Sequence, residues 1–388
     1  MAEVVIIGGG ISGTAAAYEL SRRGARVTLL ERNGLAGMAS GRTLAGVRQS
    51  GRHPAELPLA IPAVRRWQHL SDELEADVEY RQQGNLRLAR TLDEVPIIAG
   101  IVQDQRAQGL KLEYLDGNRA VREVAPAIAE SVLAASFCAT DGHANPVATV
   151  EAFAAAARRH GATIATDVVV TAINVTGGRV TGVTTSNESI AADVVIVTAG
   201  VHTGRLCAPL DINLPIAVRR VGVVQTAPLP PLLAQVLGVA SADFAGRQEV
   251  TGRFRFTGGG EQWPHDLSEN EAMDEPMQPR VADIAASLAR AVAVVPALAE
   301  ARISRVWGGL LDMTPDALPI IERVRAVEGL VVAAGFSGHG FCLGPVTGEI
   351  VSDLALRGAT AYPIEPFRLA RFLERHVGNQ AAPASLHG

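Results

Sequence analysis

The sequence is nearly devoid of lysine and has few cysteine and aromatic residues. Lys111 is the only lysine among 35 basic residues. This reflects either a GC-rich coding sequence or a protein in which lysine chemistry, including oxygen activation by lysine, plays almost no part. The cysteines Cys138, Cys207 and Cys342 show neither metal-ligand spacing nor the even number of a disulfide framework. We therefore predict no metal site and a reducing compartment.

Strong charge and long apolar runs are also missing, and the start of the first strand by Glu3 predicts that no signal peptide precedes it. The net charge is −5 at pH 7 and the isoelectric point is near 6.0, which argues against nucleic-acid binding. No apolar run approaches the roughly 18 residues that span a bilayer. We expect a cytoplasmic protein, or one peripheral to the inner face of the membrane. A length of 388 residues predicts about two domains, by a prior of roughly 100–200 residues each.

The N-terminal residues follow a strand–helix–strand pattern. Val4–Ile7 is a short β-branched run, and a helix is predicted from Ser12 to Arg23 after the glycines of GGGISG. A second strand from Arg26 to Leu30 ends on the acidic residue Glu31. This order predicts a right-handed βαβ unit and a parallel sheet.

Three glycines in this unit match a dinucleotide-binding fingerprint. Gly8 permits the tight turn, Gly10 lets the backbone approach a pyrophosphate, and Gly13 allows close packing of helix and strand. Glu31 stands where an acidic side chain can bind ribose hydroxyls. Both FAD and NAD use this turn, but the small-residue strand end at 198–200 and a third glycine-rich unit at 329–356 favour FAD.

The predicted fold class is α/β, a Rossmann-like FAD-binding domain with an inserted, mainly antiparallel α+β substrate domain. The segment VEYRQQGNLRLAR is interpreted as a hairpin that turns at Gly84 and Asn85. The predicted limits are residues 1–80, 145–215 and 300–376 for the discontinuous FAD-binding domain, 81–144 and 216–299 for the substrate domain, and 377–388 for a flexible tail.

Motifs along nearly the whole chain carry a family resemblance. They are VVIIGGGISG, SGRTLAGVRQSGRHPAELPLA, DVVIVTAG, RVWGGLLDMTPDALPII, GFSGHGF and IEPFRLARF. The chain resembles the FAD-dependent D-amino-acid oxidase and sarcosine oxidase superfamily, and within it the β subunits of sarcosine oxidase and opine oxidase and the flavin subunit of D-hydroxyproline dehydrogenase. The resemblance implies that hydride leaves a substrate carbon for flavin N5, which turns a C–N bond into an imine.

The resemblance also implies a set of cofactor-binding residues. Ser40, Gly41 and Arg42 are expected at the pyrophosphate and flavin, and residues 338–341 at the isoalloxazine. The complete predicted set is Gly8, Gly10, Ile11, Ser12, Gly13, Glu31, Arg32, Ser40, Gly41, Arg42, Val169, Ala199, Gly200, Gly308, Gly338, His339, Gly340 and Phe341.

Three departures from the family pattern bear on the substrate site. Leu311 stands where glycine oxidases and D-amino-acid oxidases have a carboxylate-binding arginine, and Cys342 where monomeric sarcosine oxidases have a lysine. No cysteine lies near residues 311–313, so the FAD is predicted to be non-covalent. The carboxylate then needs another cation, and a planar guanidinium suits it. Arg48 and Arg52 are the first candidates.

The remaining candidates are weighed against structural roles. Arg219, Arg220, Arg253 and Arg255 are second choices for the carboxylate. His339 is a catalytic candidate that could tune the flavin electrostatically, but a supporting loop histidine is an equal interpretation. Cys342 is interpreted as a small buried hydrophobe.

The predicted function is FAD-dependent oxidation of a secondary or N-substituted amino acid of the D-hydroxyproline, sarcosine or opine type. A 2-hydroxyacid dehydrogenase and a non-catalytic, flavin-holding subunit are the alternatives. The resemblance implies partner subunits or a respiratory electron acceptor as further partners beside the small amino-acid substrate. The near absence of lysine favours a dehydrogenase over an oxidase.

Overall fold

The computed structural model describes residues 2–265, 267 and 277–374. Within them, the eleven α-helices are α1 (Ile11–Arg22), α2 (Ala39–Arg42), α3 (Leu57–Trp67), α4 (Leu70–Leu74), α5 (Glu94–Ala107), α6 (Gly117–Val124), α7 (Pro146–Arg159), α8 (Thr203–Cys207), α9 (Val281–Val294), α10 (Gly340–Arg357) and α11 (Ala370–Glu374). The twenty strands are β1 (Glu3–Ile7), β2 (Arg26–Leu30), β3 (Gly46–Val47), β4 (Asn85–Ala89), β5 (Glu113–Asp116), β6 (Ala134–Cys138), β7 (Gly142–His143), β8 (Thr163–Ala165), β9 (Val170–Thr176), β10 (Arg179–Thr185), β11 (Ser189–Ala191), β12 (Val194–Val197), β13 (Ala217–Pro228), β14 (Val236–Val239), β15 (Ala245–Gln248), β16 (Arg253–Thr257), β17 (Glu261–Gln262), β18 (Ile303–Met313), β19 (Ile320–Arg323) and β20 (Leu330–Ala334).

A six-stranded sheet forms the first region, in the order β19-β20-β12-β1-β2-β8. All of its pairings are parallel except that between β19 and β20. Its central strands come from three distant parts of the chain, since β1 lies between β2 and β12, and β12 pairs with β20. The α/β, Rossmann-like fold class is confirmed.

Both faces of this sheet are covered, which explains why its strands are almost wholly apolar. Val4 and Ile6 of β1 point into a core shared with α1, α3, α7 and α10, whereas Val5 and Ile7 point into a second core on the other face. Helices α1 and α10 approach closely because Gly344 faces Ile11: a Cβ added at Gly344 would lie 2.6 Å from the Ile11 side chain. The glycine-rich helix start is therefore held between the sheet and α10.

A nine-stranded sheet forms the second region, in the order β17-β13-β16-β15-β14-β4-β6-β5, with β18 also paired with β13. Only β14 and β4 are parallel. Its core is aromatic and aliphatic, with Phe254 and Phe256 packed against Ala291 and Val294 of α9. The antiparallel character matches the expectation for the inserted domain.

The strand pairing differs from the sequence-based expectation near Gly84 and near residue 300. The hairpin at Gly84–Asn85 is wrong: β4 pairs with β6 and β14, and residue Arg81 forms only an isolated bridge with His143. Strand β18 pairs with β13, so the large sheet extends past the predicted boundary near residue 300. The domain limits remain a prediction, and the predicted tail at 377–388 lies outside the described residues.

Within the described ranges, no helix has the length and apolarity needed to cross a bilayer.

Candidate functional site

A long cleft runs across the ends of β1, β2 and β12 and continues to the large sheet. It consists of two cavities that share Gly10, Ser40, Thr198, Gly200 and Asp312 in their walls. One end is lined by residues that follow β2 and precede β9. The other end lies between the loop at 42–52, the start of α10 and the inner strands of the large sheet. The fingerprint residues therefore form the middle of one continuous groove.

The glycine turn has the geometry that the fingerprint requires. Gly8 has a φ of +111°, a backbone conformation that favours glycine. A Cβ on Gly13 would lie 2.0 Å from the Gly8 carbonyl oxygen, so only glycine allows the strand and α1 to meet here. The backbone amide of Gly9 donates to the Glu31 carboxylate at 2.6 Å, which fixes that acid at the end of β2. Helix α1 directs its N-terminal amides into the cleft.

The segment around α2 connects the glycine turn to the large sheet. Ser40 Oγ accepts a hydrogen bond from the Ile11 amide at 3.0 Å. Arg42 donates to the Gly308 carbonyl oxygen at 2.8 Å, and the Trp307 indole donates to the Arg42 carbonyl oxygen at 3.1 Å. This segment therefore connects the start of α1 to strand β18 of the large sheet.

Two arginines line the far end of the cleft without an anionic partner. The Arg48 guanidinium makes no hydrogen bond or ion pair with any described residue. Arg52 is 5% exposed, and its Nη1 is buried with no hydrogen-bond partner among the described residues. Burial, together with the like charges of Arg52 and Arg87, lowers the pKa of Arg48 to about 9, and the negative charge of Asp141 acts in the opposite direction. Arg48 is therefore still a cation at neutral pH, and with the Arg52 guanidinium in the same wall this end of the cleft is suited to an anion.

Several apolar side chains line the same cavity as these arginines. Val221 and Val223 of β13, Leu237 of β14 and the ring of Phe244 all line the cavity. The site therefore combines a cationic side with a hydrocarbon side, which fits a small ligand that has one carboxylate and a less polar body.

His339 precedes α10 and borders the same cavity. It is 6% exposed, and its Nδ1 lies 3.0 Å from the carboxylate of Glu56, a residue with no exposed surface. Burial lowers the pKa of His339, and Arg52 lowers it further, while Glu56 opposes both effects. The imidazole is therefore neutral at physiological pH.

Asp312 is a buried carboxyl group at the centre of the cleft. Its Oδ2 accepts a hydrogen bond from the Gly335 amide at 2.7 Å, which ties β18 to the loop before α10. Burial raises the pKa of Asp312 to about 6, although that backbone hydrogen bond acts in the opposite direction. Part of this group is protonated near neutrality.

Most of the predicted cofactor residues lie in the walls of the cleft. Those that do are Gly8, Gly10, Ile11, Ser12, Glu31, Arg32, Ser40, Arg42, Val169, Ala199, Gly200, Gly338, His339, Gly340 and Phe341. Gly13, Gly41 and Gly308 do not. Gly13 and Gly41 permit close backbone packing, and a Cβ on Gly308 would meet the Met277 carbonyl oxygen, so Gly309 forms the wall instead.

The second-choice arginines lie outside the cleft walls and have other partners. Arg219 donates to the Gly260 carbonyl oxygen, and Arg220 pairs with Glu261. Arg253 donates to Ser304 at 2.8 Å, and Arg255 pairs with Glu249 at 2.7 Å. Acidic partners neutralise Arg220 and Arg255, whereas Arg219 and Arg253 donate to neutral oxygens, and none of the four lines the cavity.

Two residues that position the site escaped the sequence analysis. Glu56 contacts His339 across 283 positions of sequence, and Arg247 donates to the Ala144 carbonyl oxygen at 3.1 Å from the inside of the second sheet. Neither contact has a local sequence signal. The only sequence signal for Glu56 is its position as a single acid among the apolar residues of the segment HPAELPLA.

Comparison with known proteins defines the class of this chain. The model of the FAD-dependent oxidoreductase family called DAO matches residues 3–354. The chain belongs to this family, it is an enzyme, and FAD is its cofactor. This confirms the resemblance to the D-amino-acid oxidase and sarcosine oxidase superfamily.

Relatives and solved structures match the chain over almost its entire length. Sarcosine oxidase subunit beta of an Arthrobacter species is 27% identical over 99% of this chain and 94% of its own length. Glycine oxidase of Geobacillus kaustophilus is 27% identical, with 97% of each chain covered. The crystal structure of L-proline dehydrogenase from P. horikoshii is 27% identical with a TM-score of 0.88, and covers 96% of this chain and 98% of its own.

The residues of the cleft fit FAD by their own chemistry. A Cβ on Gly10 would lie 2.9 Å from Ser40 Oγ, so the side-chain-free glycine leaves the space in front of α1 that a pyrophosphate needs. The two connected cavities form an elongated site with the glycine turn between its two ends. Glu31 and Arg32 would hold the adenosine end, and Gly338–Phe341 the isoalloxazine end.

Proposed function

We propose that the enzyme oxidises the C–N bond of a secondary or N-substituted amino acid, of the D-hydroxyproline, sarcosine or opine type, to an imine by hydride transfer to flavin N5. The observation that carries this proposal is the pair Arg48 and Arg52, which line the cavity without a hydrogen bond or ion pair to a carboxylate of the described residues. Such a buried, unpaired charge is costly unless a ligand supplies the anion.

The side chains of this enzyme divide the work of binding. Arg48 and Arg52 hold the substrate carboxylate, since a guanidinium fork matches it in shape and charge. The valines of β13 and Phe244 enclose the amine substituent and exclude water. When bound, FAD supplies the two-electron acceptor for the C–N bond. Orientation of the substrate carbon is then the main contribution of the protein.

The names of two relatives support the substrate class. Sarcosine and L-proline, which appear in the names of the Arthrobacter protein and of the P. horikoshii structure, are both secondary amino acids. Glycine, named in the Geobacillus relative, is a primary amine. Arg48 in the cavity fits any of these carboxylates, so the amine substituent decides the substrate.

An anaerobic screen tests the proposal. The purified holoenzyme is mixed with D- and L-amino acids, sarcosine, both prolines and 4-hydroxyprolines, an opine and 2-hydroxy acids, and flavin bleaching near 450 nm is followed by stopped flow. We expect secondary amino acids to reduce the flavin fastest. Reduction by primary amino acids or 2-hydroxy acids alone would contradict the substrate class, and reduction by none would favour the flavin-holding subunit. Subsequent admission of oxygen shows whether oxygen or another acceptor reoxidises the flavin.

Partner subunits form the second part of the proposal. Three relatives are named as beta subunits of sarcosine oxidase, from Arthrobacter, Rhizobium meliloti and Rhodobacter capsulatus. We infer that this chain also works with other subunits in the cytoplasm or at the inner face of the membrane, where its three buried cysteines stay thiols. Affinity purification of the tagged chain from its native cells, followed by mass determination of the intact complex, tests this.

A further inference from the structure

A buried acid–imidazole pair stands at the end of the cleft that holds the two arginines. Glu56 lies in the short 3-10 turn at 54–56 before α3, and His339 is the residue before α10. Both carboxylate oxygens of Glu56 are close to His339 Nδ1, at 3.0 and 3.1 Å. Glu56 has no exposed surface, so this contact is the reason that a carboxylate can be buried here.

The protonation states follow from the surroundings of the pair. Burial alone would raise the pKa of Glu56, but His339 and then Arg52 outweigh it and bring that pKa below its ordinary value. Glu56 is therefore a carboxylate at neutral pH, which only accepts hydrogen bonds. Because the imidazole is neutral, its one proton resides on Nδ1, and Nε2 carries a free lone pair.

That lone pair is available to a ligand. Nε2 of His339 has no hydrogen-bond partner among the described residues, and His339 forms part of the cavity wall with Arg48 and Arg52. A cavity with a fixed hydrogen-bond acceptor beside two carboxylate-binding cations matches the two polar ends of an amino acid. The carboxylate faces the arginines and the amine faces the ring.

We propose that His339 accepts the proton of the substrate ammonium at Nε2, and that Glu56 is the positioning residue that fixes the ring and its tautomer for this step. In the transfer an N–H bond of the ammonium breaks and an Nε2–H bond forms, while the nitrogen keeps the electron pair that the C–N oxidation requires. The imidazolium charge is balanced by Glu56. This inference rests on the proposed amino-acid substrate.

The charged groups that face the ring couple this step to carboxylate binding. Arg52 and Arg48 oppose a positive charge on His339, and Glu56 favours it. A carboxylate held by the two arginines offsets their charge, so the pKa of His339 rises when the substrate binds. The substrate carboxylate, which does not react, thus makes His339 a stronger base. An amine without a carboxylate does not raise the pKa of His339 in this way.

Nitrogen NMR of histidine tests the tautomer independently of turnover. The FAD-loaded protein is labelled with ¹⁵N-histidine, and the His339 signals are identified by their loss in His339→Gln. We expect Nδ1 to be protonated and Nε2 to be bare in the wild type. Acetate, as a non-oxidisable carboxylate, should raise the pKa of His339, and this response should vanish in Arg48→Met. A proton on Nε2, or a pKa that ignores acetate, would overturn the inference.

Kinetics of Glu56→Gln provide the second test, with Glu123→Gln on the protein surface as control, since Glu123 is 66% exposed. We expect a fall in kcat/KM of about 100-fold, in the range of lost general acid–base catalysis, with flavin content unchanged and acetate affinity within about twofold. An equal loss of acetate affinity would mean a merely structural role. If no secondary amino acid reduces the flavin but the NMR signals show the expected tautomer, the proposed substrate class is wrong. The arrangement of Glu56 and His339 would still stand in that case.

Discussion

The carboxylate of Asp141 accepts a hydrogen bond from the backbone amide of Gln49 at 2.9 Å, although 92 residues separate the two. Its second oxygen accepts from the amide and the hydroxyl group of Ser50. Asp141, which does not line the cavity itself, therefore fixes the loop between Arg48 and Arg52. The spacing of the two guanidinium groups depends on this buried acid.

Replacement of Asp141 by Asn is expected to disturb both arginines. The amide puts a donor where an acceptor is required, so a buried backbone N–H loses its partner at a cost of about 1–3 kcal/mol. We expect a lower free energy of unfolding by this amount and a raised KM for the amino acid. Urea unfolding and steady-state kinetics measure both, and Asp104→Asn on the surface is the control. Unchanged KM together with unchanged stability would contradict this role.

Replacement of Arg48 by Met separates binding from stability. Loss of a charge-assisted hydrogen bond worth about 1.5–3 kcal/mol predicts a KM increase of roughly 10- to 100-fold. Burial holds the pKa of Arg48 down at about 9, so the folded protein bears an unfavourable charge at pH 7. The variant should therefore melt at a higher temperature than the wild type without substrate. Arg119→Ala, at a side chain 93% exposed, should change neither quantity.

Asp312 gives the stability of the protein a distinct pH dependence. Its pKa is raised to about 6 in the fold from 3.8 when unfolded, so the stabilisation by the protonated form is complete below pH 4 and is lost as the pH rises through 6. The shift corresponds to about 3 kcal/mol at most. Asp312→Asn keeps an acceptor for the Gly335 amide without the charge. Its stability advantage, measured by urea unfolding at several pH values, should grow between pH 4 and pH 7, and a flat difference would be inconsistent with the raised pKa.

A methyl group at Gly10 should block the cofactor while sparing the fold. The added Cβ lies 2.9 Å from Ser40 Oγ at the wall shared by both cavities. We expect Gly10→Ala to be purified with a flavin absorbance below one tenth of the wild type and with unchanged far-ultraviolet circular dichroism. Gly100→Ala is the matched control, because nothing lies within 4 Å of that Cβ in helix α5, and it should keep full flavin content.

The three cysteines should be unreactive in the native protein. Burial raises the pKa of Cys138 and of Cys207 to about 12, and of Cys342 to about 11, so none is a thiolate at neutral pH. Titration with a disulfide reagent should find no accessible thiol until denaturant is added, and then three. Rapid native labelling that disappears in Cys342→Ser would contradict the interpretation of this residue as a buried hydrophobe.

Most residues that sequence patterns assign to the cofactor lie in the walls of the cleft, because their signals are local, and their role in binding FAD stays a prediction. Gly8, Gly10 and Glu31 lie within one βαβ unit, and their spacing carries the chemistry of the site. The hairpin at Gly84 failed for the opposite reason. The same glycine ends a loop, since β4 finds its partners in β6 and in β14, roughly 50 and 150 positions later, and no local pattern records a distant partner.

The substrate end shows the same division between local and distant signals. Arg48 and Arg52 are predicted as carboxylate-binding residues from their position in the flavin-side loop and from the absence of the cations that other family members use. The structure places both in the cavity wall. The choice between them and Arg255 depended on counter-charges: Glu249 neutralises Arg255, and no described acid pairs with Arg48. Glu56 is not predicted from the sequence, because its role depends on the contact with His339, which lies 283 residues away and is brought to it by the start of α10.

The strand order β20-β12-β1-β2 has a consequence for folding during synthesis on the ribosome. A ribosome releases β1 and the glycine turn first, but the neighbouring strand β12 follows about 190 residues later and β20 more than 320 residues after the start. The cofactor site is thus incomplete until most of the chain has been synthesised. We therefore expect flavin to bind only after most of the chain has been synthesised, because the strands that surround its site come from distant segments.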